Sequence, residues 1–151
     1  MFITGYHIAA HYLKPANVYK MKPETIPPAH LLQIQSVAEE VHTWTMNKQA
    51  AASRAMACFT ATVAKTGAYT VNDERGQIRP MWQGVKELPT DGSKDGLWWA
   101  QWVGQANADT ADLFKVEHAV GAMRLSEADC ERALSFPGVV SEGRVLGRRN
   151  A

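Results

Sequence analysis

The chain has 151 residues, 46% hydrophobic and 21% charged, and its 16 basic and 15 acidic residues nearly balance. This length and composition predict one globular domain over residues 1–151, which buries a core without needing disulfides or metals. The net charge of +1 excludes an overall basic surface for nucleic acid and an overall acidic one that mimics it. No apolar run reaches the ~18–20 residues of a membrane span, and the first residues show no secretion signal. We therefore expect a soluble, cytoplasmic protein without membrane contacts.

The N-terminal part of the chain is predicted to be helical, apart from a proline-rich connector. A short helix is expected from about Tyr6 to the residue before Pro15. Residues 15–28 are expected to form an irregular connector, because proline fixes φ and lacks an amide donor. Residues 28–66 read as one long helix, or as two helices joined near residues 46–48.

The long helical stretch has two different halves. The first half is amphipathic, with an apolar face made of Leu31, Ile34, Val37, Ala38, Val41 and Trp44. The second half, from Ala50 to Ala64, is apolar on most sides, which is typical of a helix buried between neighbours. Gly67 is predicted to end it, because glycine readily adopts the left-handed conformation found after helices.

The middle of the chain changes from helical to extended periodicity. Residues 68–82 predict a small β-hairpin with a glycine-containing loop, and residues 83–96 predict a longer loop. The predicted fold is therefore mainly α, with four to six helices and this one hairpin.

Helical patterns return in the C-terminal part. Residues 97–106 form a helical pattern with three tryptophans, and a further helix is expected after Asn107 or Asp109. Ser126 precedes Asp129 by three residues, the spacing of an N-terminal capping box, and predicts a helix over residues 127–135. The last residues, about 141–151, are expected to be a flexible basic tail.

Two histidine patterns are weak candidates for a metal site. His7 and His11 are four residues apart, so a helix places both on one face at a spacing that suits zinc, but no glutamate follows His7 as in zinc proteases. Glu39 and His42 form half of a di-iron motif, yet they fall on the polar side of their helix. A composite site of all four residues requires the first helix to pack against that side. The alternative is that these are ordinary solvated side chains, and we predict no bound metal.

Other catalytic signatures are missing. Glu117 and His118 are adjacent, so they point about 100° apart on a helix and form no dyad by themselves. The chain contains no nucleophile elbow and no phosphate-binding glycine loop. Cys58 and Cys130 stand in no metal-ligand spacing, and the surroundings of Cys58 are those of a buried, inert thiol. We predict no cofactor and lean against an enzyme.

The tryptophans are the most unusual feature of the sequence. There are five, and three of them lie close together at Trp98, Trp99 and Trp102. Trp82 is a candidate for the same cluster. Since one core does not easily bury three neighbouring tryptophans, these four residues are candidates for a partner-binding surface. The alternative is that flanking helices bury them in the core.

These patterns favour a non-enzymatic binding domain that acts through a protein partner or by self-association. Its size and lack of motifs suit an accessory or inhibitor protein of a phage or mobile element. Two alternatives remain open: a small metal-assisted hydrolase using the histidine candidates, and weak nucleic-acid binding. Nucleic-acid binding would use the mildly basic N-terminal third and the tail residues Arg144, Arg148 and Arg149.

Overall fold

The computed structural model describes residues 3–65, 70–72, 75, 78–80, 88–89, 94–99 and 108–135. The described chain is mainly helical, as predicted. The α-helices are α1 (Ile3–Leu13), α2 (Pro15–Lys20), α3 (Pro28–Val41), α4 (Lys48–Ala64), α5 (Asp95–Trp99), α6 (Ala108–Ala122) and α7 (Glu127–Leu134). A 3-10 turn spans Pro23–Thr25. None of the helices in these ranges is both long and apolar enough to cross a membrane.

The described ranges hold seven α-helices rather than four to six, because the connector is more regular than predicted. Pro15 occupies the first position of α2, where its missing amide has no intrahelical acceptor to lose. Pro23 and Pro28 begin the 3-10 turn and α3 in the same way. The prolines therefore start short helical segments instead of preventing them.

The stretch over residues 28–66 forms two helices, which is the second of the two alternatives that the sequence left open. α3 ends at Val41, and α4 begins at Lys48. Asn47 caps α4, since its side chain accepts a hydrogen bond from the amide of Ala50.

Four helices form the centre of the fold. α1 packs against α3, α3 against α4, α4 against α6, and α6 against α1, which closes a ring around one apolar cluster. α7 packs on α1, and α5 packs on α6 and α2. The largest fully buried side chains in this core include Trp99, Phe59, Ile8, Ile34 and Leu113.

α4 is more one-sided than its sequence indicates. Buried residues recur every three to four positions along it, as in an amphipathic helix: Ala51, Ala52, Ala55, Cys58, Phe59, Thr62 and Val63. Ala57 and Ala64, predicted as part of an all-round apolar surface, are exposed. Because the alanine side chain is a single methyl group, these two exposed residues add little apolar area to the protein surface.

Helix ends confirm one predicted signal and correct another. The Ser126 side chain accepts a hydrogen bond from the Asp129 amide at 3.1 Å, so the predicted cap of α7 is confirmed. α4 ends earlier than predicted, and Lys65, with φ 59°, takes the left-handed position expected of Gly67. Gly67 itself lies outside the described residues.

Two short strands lie in the region where the hairpin was predicted. Thr70–Asn72 (β1) pairs antiparallel with Ile78–Pro80 (β2), with Thr70 opposite Pro80. The pairing involves only three residues on each side, so the class is mainly α. The tail predicted at residues 141–151, with its three arginines, lies outside the described residues.

Candidate functional site

Trp98 and Trp99, two of the predicted partner-binding residues, are buried at the end of α5. Trp98 is 5% exposed and Trp99 is fully buried, and their rings meet edge to face with centroids 5.2 Å apart. The Trp99 Nε1 donates a 2.7 Å hydrogen bond to the carbonyl of Leu13. Leu13 is the last residue of α1, where carbonyls lack intrahelical donors. Both indoles therefore pack in the core, which is the alternative that the sequence left open. Trp102 and Trp82 lie outside the described residues.

The four histidine-site candidates do not come together around one point. The ring of His11 lies beside Asn17 of α2, and its pKa is lowered by burial, an effect that Glu131 and Glu127 of α7 oppose. His42, by contrast, is buried against α6, and Glu39 lies half-buried on α3. Within the described ranges, no three His, Cys, Asp or Glu side chains are grouped closely enough to hold a metal ion.

The prediction that His42 lies on a solvated face is wrong. Its side chain is only 2% exposed, and its Nε2 lies 3.1 Å from the carbonyl oxygen of Asp112 in α6. Because a carbonyl only accepts, Nε2 carries the hydrogen, and Nδ1 is left to accept a weak 3.4 Å bond from the Thr45 hydroxyl. The packing of α6 across α3 buries a position that periodicity assigned to solvent.

Trp44 was predicted on the apolar face of the same helix, and this prediction is also wrong. α3 ends three residues earlier, and Trp44 is 96% exposed. Met46, two residues further, is fully exposed. We call the segment of residues 43–47 the α3–α4 loop. It carries the two most exposed large apolar side chains in the described part of the chain.

The α3–α4 loop is held at both ends by hydrogen bonds. The Thr43 hydroxyl donates to the carbonyl of Glu40, and the Thr45 amide donates to the carbonyl of His42. At the other end Asn47 caps α4. Threonine and asparagine side chains that bond nearby backbone favour such turns over a continuing helix. The loop therefore has a defined backbone while its two apolar side chains lie in solvent.

Asp112 connects the helices on either side of this loop. Its main-chain oxygen accepts from His42, at the end of α3. Its carboxylate accepts a 2.6 Å hydrogen bond from Nε of Arg54, in α4. One residue of α6 thus makes polar contacts with both of the segments that the loop joins.

A second candidate site is a cavity of about 550 Å³ between α1, α5, α6 and α7. Its apolar lining includes Leu13 of α1 and Val120 of α6. Its polar lining comprises His11, Lys14, Asp95, Glu117, His118, Arg124, Glu127 and Cys130. The volume is within the range of small-molecule pockets.

Glu117 is the most perturbed group in this cavity. It is 5% exposed, and its Oε1 has no hydrogen-bond partner among the described residues. Its carboxylate packs closely on the backbone of Gly121, where a Cβ would lie 3.1 Å from Oε2. Burial, with a further contribution from the negative charge of Asp95, raises the pKa of Glu117 from 4.5 to about 7.

Sequence reasoning missed both features for identifiable reasons. The apolar periodicity of α3 runs on through Trp44, and only the threonine and asparagine caps around it signal that the helix has ended. Glu117 was considered only with its neighbour His118. The groups that surround it come from three other helices, and no spacing in the sequence brings them together.

Comparisons with known proteins give no further assignment. The chain matches no protein-family model, and neither the curated proteins nor the solved structures show a significant similarity to it.

The burial of Trp99 predicts a stability defect for its substitution. Trp99→Phe removes the donor to the Leu13 carbonyl and leaves a small void, so it should lower the free energy of unfolding by about 2 kcal/mol. The exposed Trp44→Phe is the matched control and should change it by less than about 0.5 kcal/mol. Urea unfolding followed by circular dichroism measures both, and equal effects would contradict the burial of Trp99.

The raised pKa of Glu117 predicts that the difference in stability between the wild type and Glu117→Gln depends on pH. Between pH 4.5 and 7 the folded protein keeps a proton that the unfolded chain has released, so this group makes the wild type less stable as pH rises. Glu117→Gln removes that loss and should be more stable than the wild type by on the order of 3 kcal/mol at pH 8. Below pH 4.5 the two proteins should converge. Parallel stability curves from pH 4 to 8 would show that this carboxyl is not perturbed.

Proposed function

We propose that this chain is a non-enzymatic protein-binding domain whose contact surface is centred on the α3–α4 loop. The observation that carries the proposal is the near-complete exposure of Trp44 and Met46 on a backbone fixed at both ends. Tryptophan is the residue most enriched at binding hot spots, and methionine adapts its shape to a partner. An apolar pocket on a partner protein is the environment that would bury both side chains.

Preorganisation supports this assignment. Because hydrogen bonds already order the backbone of the loop, binding loses less conformational entropy than it would with a mobile segment. The main remaining cost is ordering the two exposed side chains themselves. An ordered loop therefore gives a higher affinity than a mobile segment with the same contact area.

The chemistry of the loop favours a protein partner over a lipid surface. Its other residues, Thr43, Thr45 and Asn47, are uncharged, and its neighbours in the chain are Lys48 and the buried His42. Membrane-surface binding by short segments relies on clusters of basic residues around the apolar side chains. Hydroxyl and amide groups instead suit the polar rim of a protein interface.

The cellular setting is part of the same proposal. Cys58 and Cys130 are both buried without a disulfide, which supports a reducing compartment such as the cytoplasm. A small accessory or inhibitor protein of a phage or mobile element would act in this way, by docking one exposed element on a host protein. The size and lack of catalytic motifs support that class.

Substitution of the loop residues tests the proposal. Trp44→Ala combined with Met46→Ala should remove the anchors without unfolding the domain, because both side chains are exposed. Affinity for the partner should fall by at least ~30-fold, corresponding to the ~2 kcal/mol of a hot spot. Leu32→Ala is the matched control, since Leu32 is an exposed apolar residue on α3 about 15 Å from the loop.

The three proteins are used as baits in the same lysate, with bound proteins quantified by mass spectrometry at low and high salt. A protein retained by the wild type and by Leu32→Ala at both salts, and lost with the double variant, supports the proposal. Equal retention by all three baits contradicts it. Binding of the wild type to anionic vesicles, or self-association abolished by the double variant with no other protein retained, would also overturn it.

A further inference from the structure

The cavity between α1, α5, α6 and α7 is separate from the α3–α4 loop, and its lining combines apolar walls with one buried acid. The apolar contribution comes from Ala10, Leu13, Val120 and Leu125. Glu117 lies among them with a carboxylate oxygen that accepts no hydrogen bond from the described residues. A buried acceptor without a donor is costly, so a ligand that supplies the donor gains that free energy on binding.

The charges around the cavity indicate what the donor should be. Lys14 is paired with Asp95, at 3.8 Å, so the positive charge of α1 is already balanced by α5. Arg124 and Glu127 add one positive and one negative charge at the rim, and both side chains are exposed. His11 and His118 complete the ionisable lining. A carboxylate ligand beside Glu117 would be repelled by the negative charge of this residue. An ammonium ligand would instead form a charge-assisted hydrogen bond with it.

We propose that this cavity binds a small primary amine with an apolar body, whose ammonium group donates to the carboxylate of Glu117. The apolar side chains contact the body of the ligand, and the volume of about 550 Å³ accommodates a short alkyl or aryl chain. The amine and the carboxylate pair as ions. No covalent step is involved.

The site should couple ligand binding to proton release. Burial and Asp95 raise the pKa of Glu117 to about 7, so near neutral pH part of the protein carries a proton on this group. An ammonium binds the ionised form and should displace that proton. The other titratable groups facing the cavity are His11 and Lys14 of α1, Asp95 of α5, His118 of α6, and Glu127 and Cys130 of α7. The number of protons that Glu117 releases is therefore the difference between the wild type and a variant that lacks this carboxyl.

Hexylamine, hexan-1-ol and hexanoate form a matched probe series with the same chain and a positive, neutral or negative head group. Isothermal titration calorimetry at pH 8 measures the affinity of each for the full chain. Hexylamine should bind at least ten times more tightly than hexan-1-ol, and hexanoate should bind least. Glu117→Gln should lose at least ten-fold in hexylamine affinity and keep its affinity for hexan-1-ol, while Glu127→Gln changes hexylamine affinity less than three-fold.

Repeating the hexylamine titration at pH 7 in buffers of different ionisation enthalpy counts the protons released. The wild type should release more protons per ligand than Glu117→Gln. Equal hexylamine affinity in the wild type and Glu117→Gln would overturn the proposal, as would tighter binding of hexanoate or hexan-1-ol than of hexylamine. Failure of all three probes to bind would also overturn it.

Discussion

The helices pack around one apolar cluster, and Asp112, a buried residue of α6, adds polar contacts with the end of α3 and with α4. Its main-chain oxygen accepts from His42 at the end of α3, and its carboxylate accepts from Arg54 in α4. A buried acid that is paired and hydrogen-bonded avoids the cost of an isolated charge. These two contacts add to the direct packing of α3, α4 and α6 and lie on either side of the short loop between α3 and α4.

The position of the loop follows from this constraint. With His42 buried and Asn47 capping α4, the intervening residues span between two fixed points. Trp44 and Met46 then point away from the core, although both are apolar enough to be buried. A single exposed apolar residue is common on proteins, but a nearly fully exposed tryptophan on an ordered loop is better explained by a partner that covers it.

Much of the helical framework could be predicted from sequence, because it is set by local signals. The Ser126 cap and the apolar stripe of Ile34, Val37 and Ala38 were readable from spacing and residue type, and the break near Asn47 was one of the two alternatives that the sequence left open. These features depend on residues within about one turn of each other. The mainly α class follows from them.

The sites were harder to predict, because they depend on contacts between distant segments. His42 reads as a surface residue until α6, 70 positions later, covers it. Trp99 reads as an interface candidate until the end of α1 provides its acceptor. Glu117 becomes unusual only when α1, α5 and α7 surround it. Periodicity gives the face on which a residue lies, but not which helix packs against that face.

The central claim is that Trp44 lies in solvent on an ordered loop, and fluorine NMR of the full chain labelled with 5-fluorotryptophan tests it most directly. Trp44→Phe assigns the resonance of this residue among the five, and replacing water by deuterated solvent reports its exposure. The structure predicts a single resonance for Trp44 with a solvent-induced shift close to that of free fluorotryptophan, whereas Trp98 and Trp99, assigned in the same way, should shift little. A Trp44 resonance insensitive to the solvent, or split between several conformations, would contradict the ordered, exposed loop on which the proposed function rests.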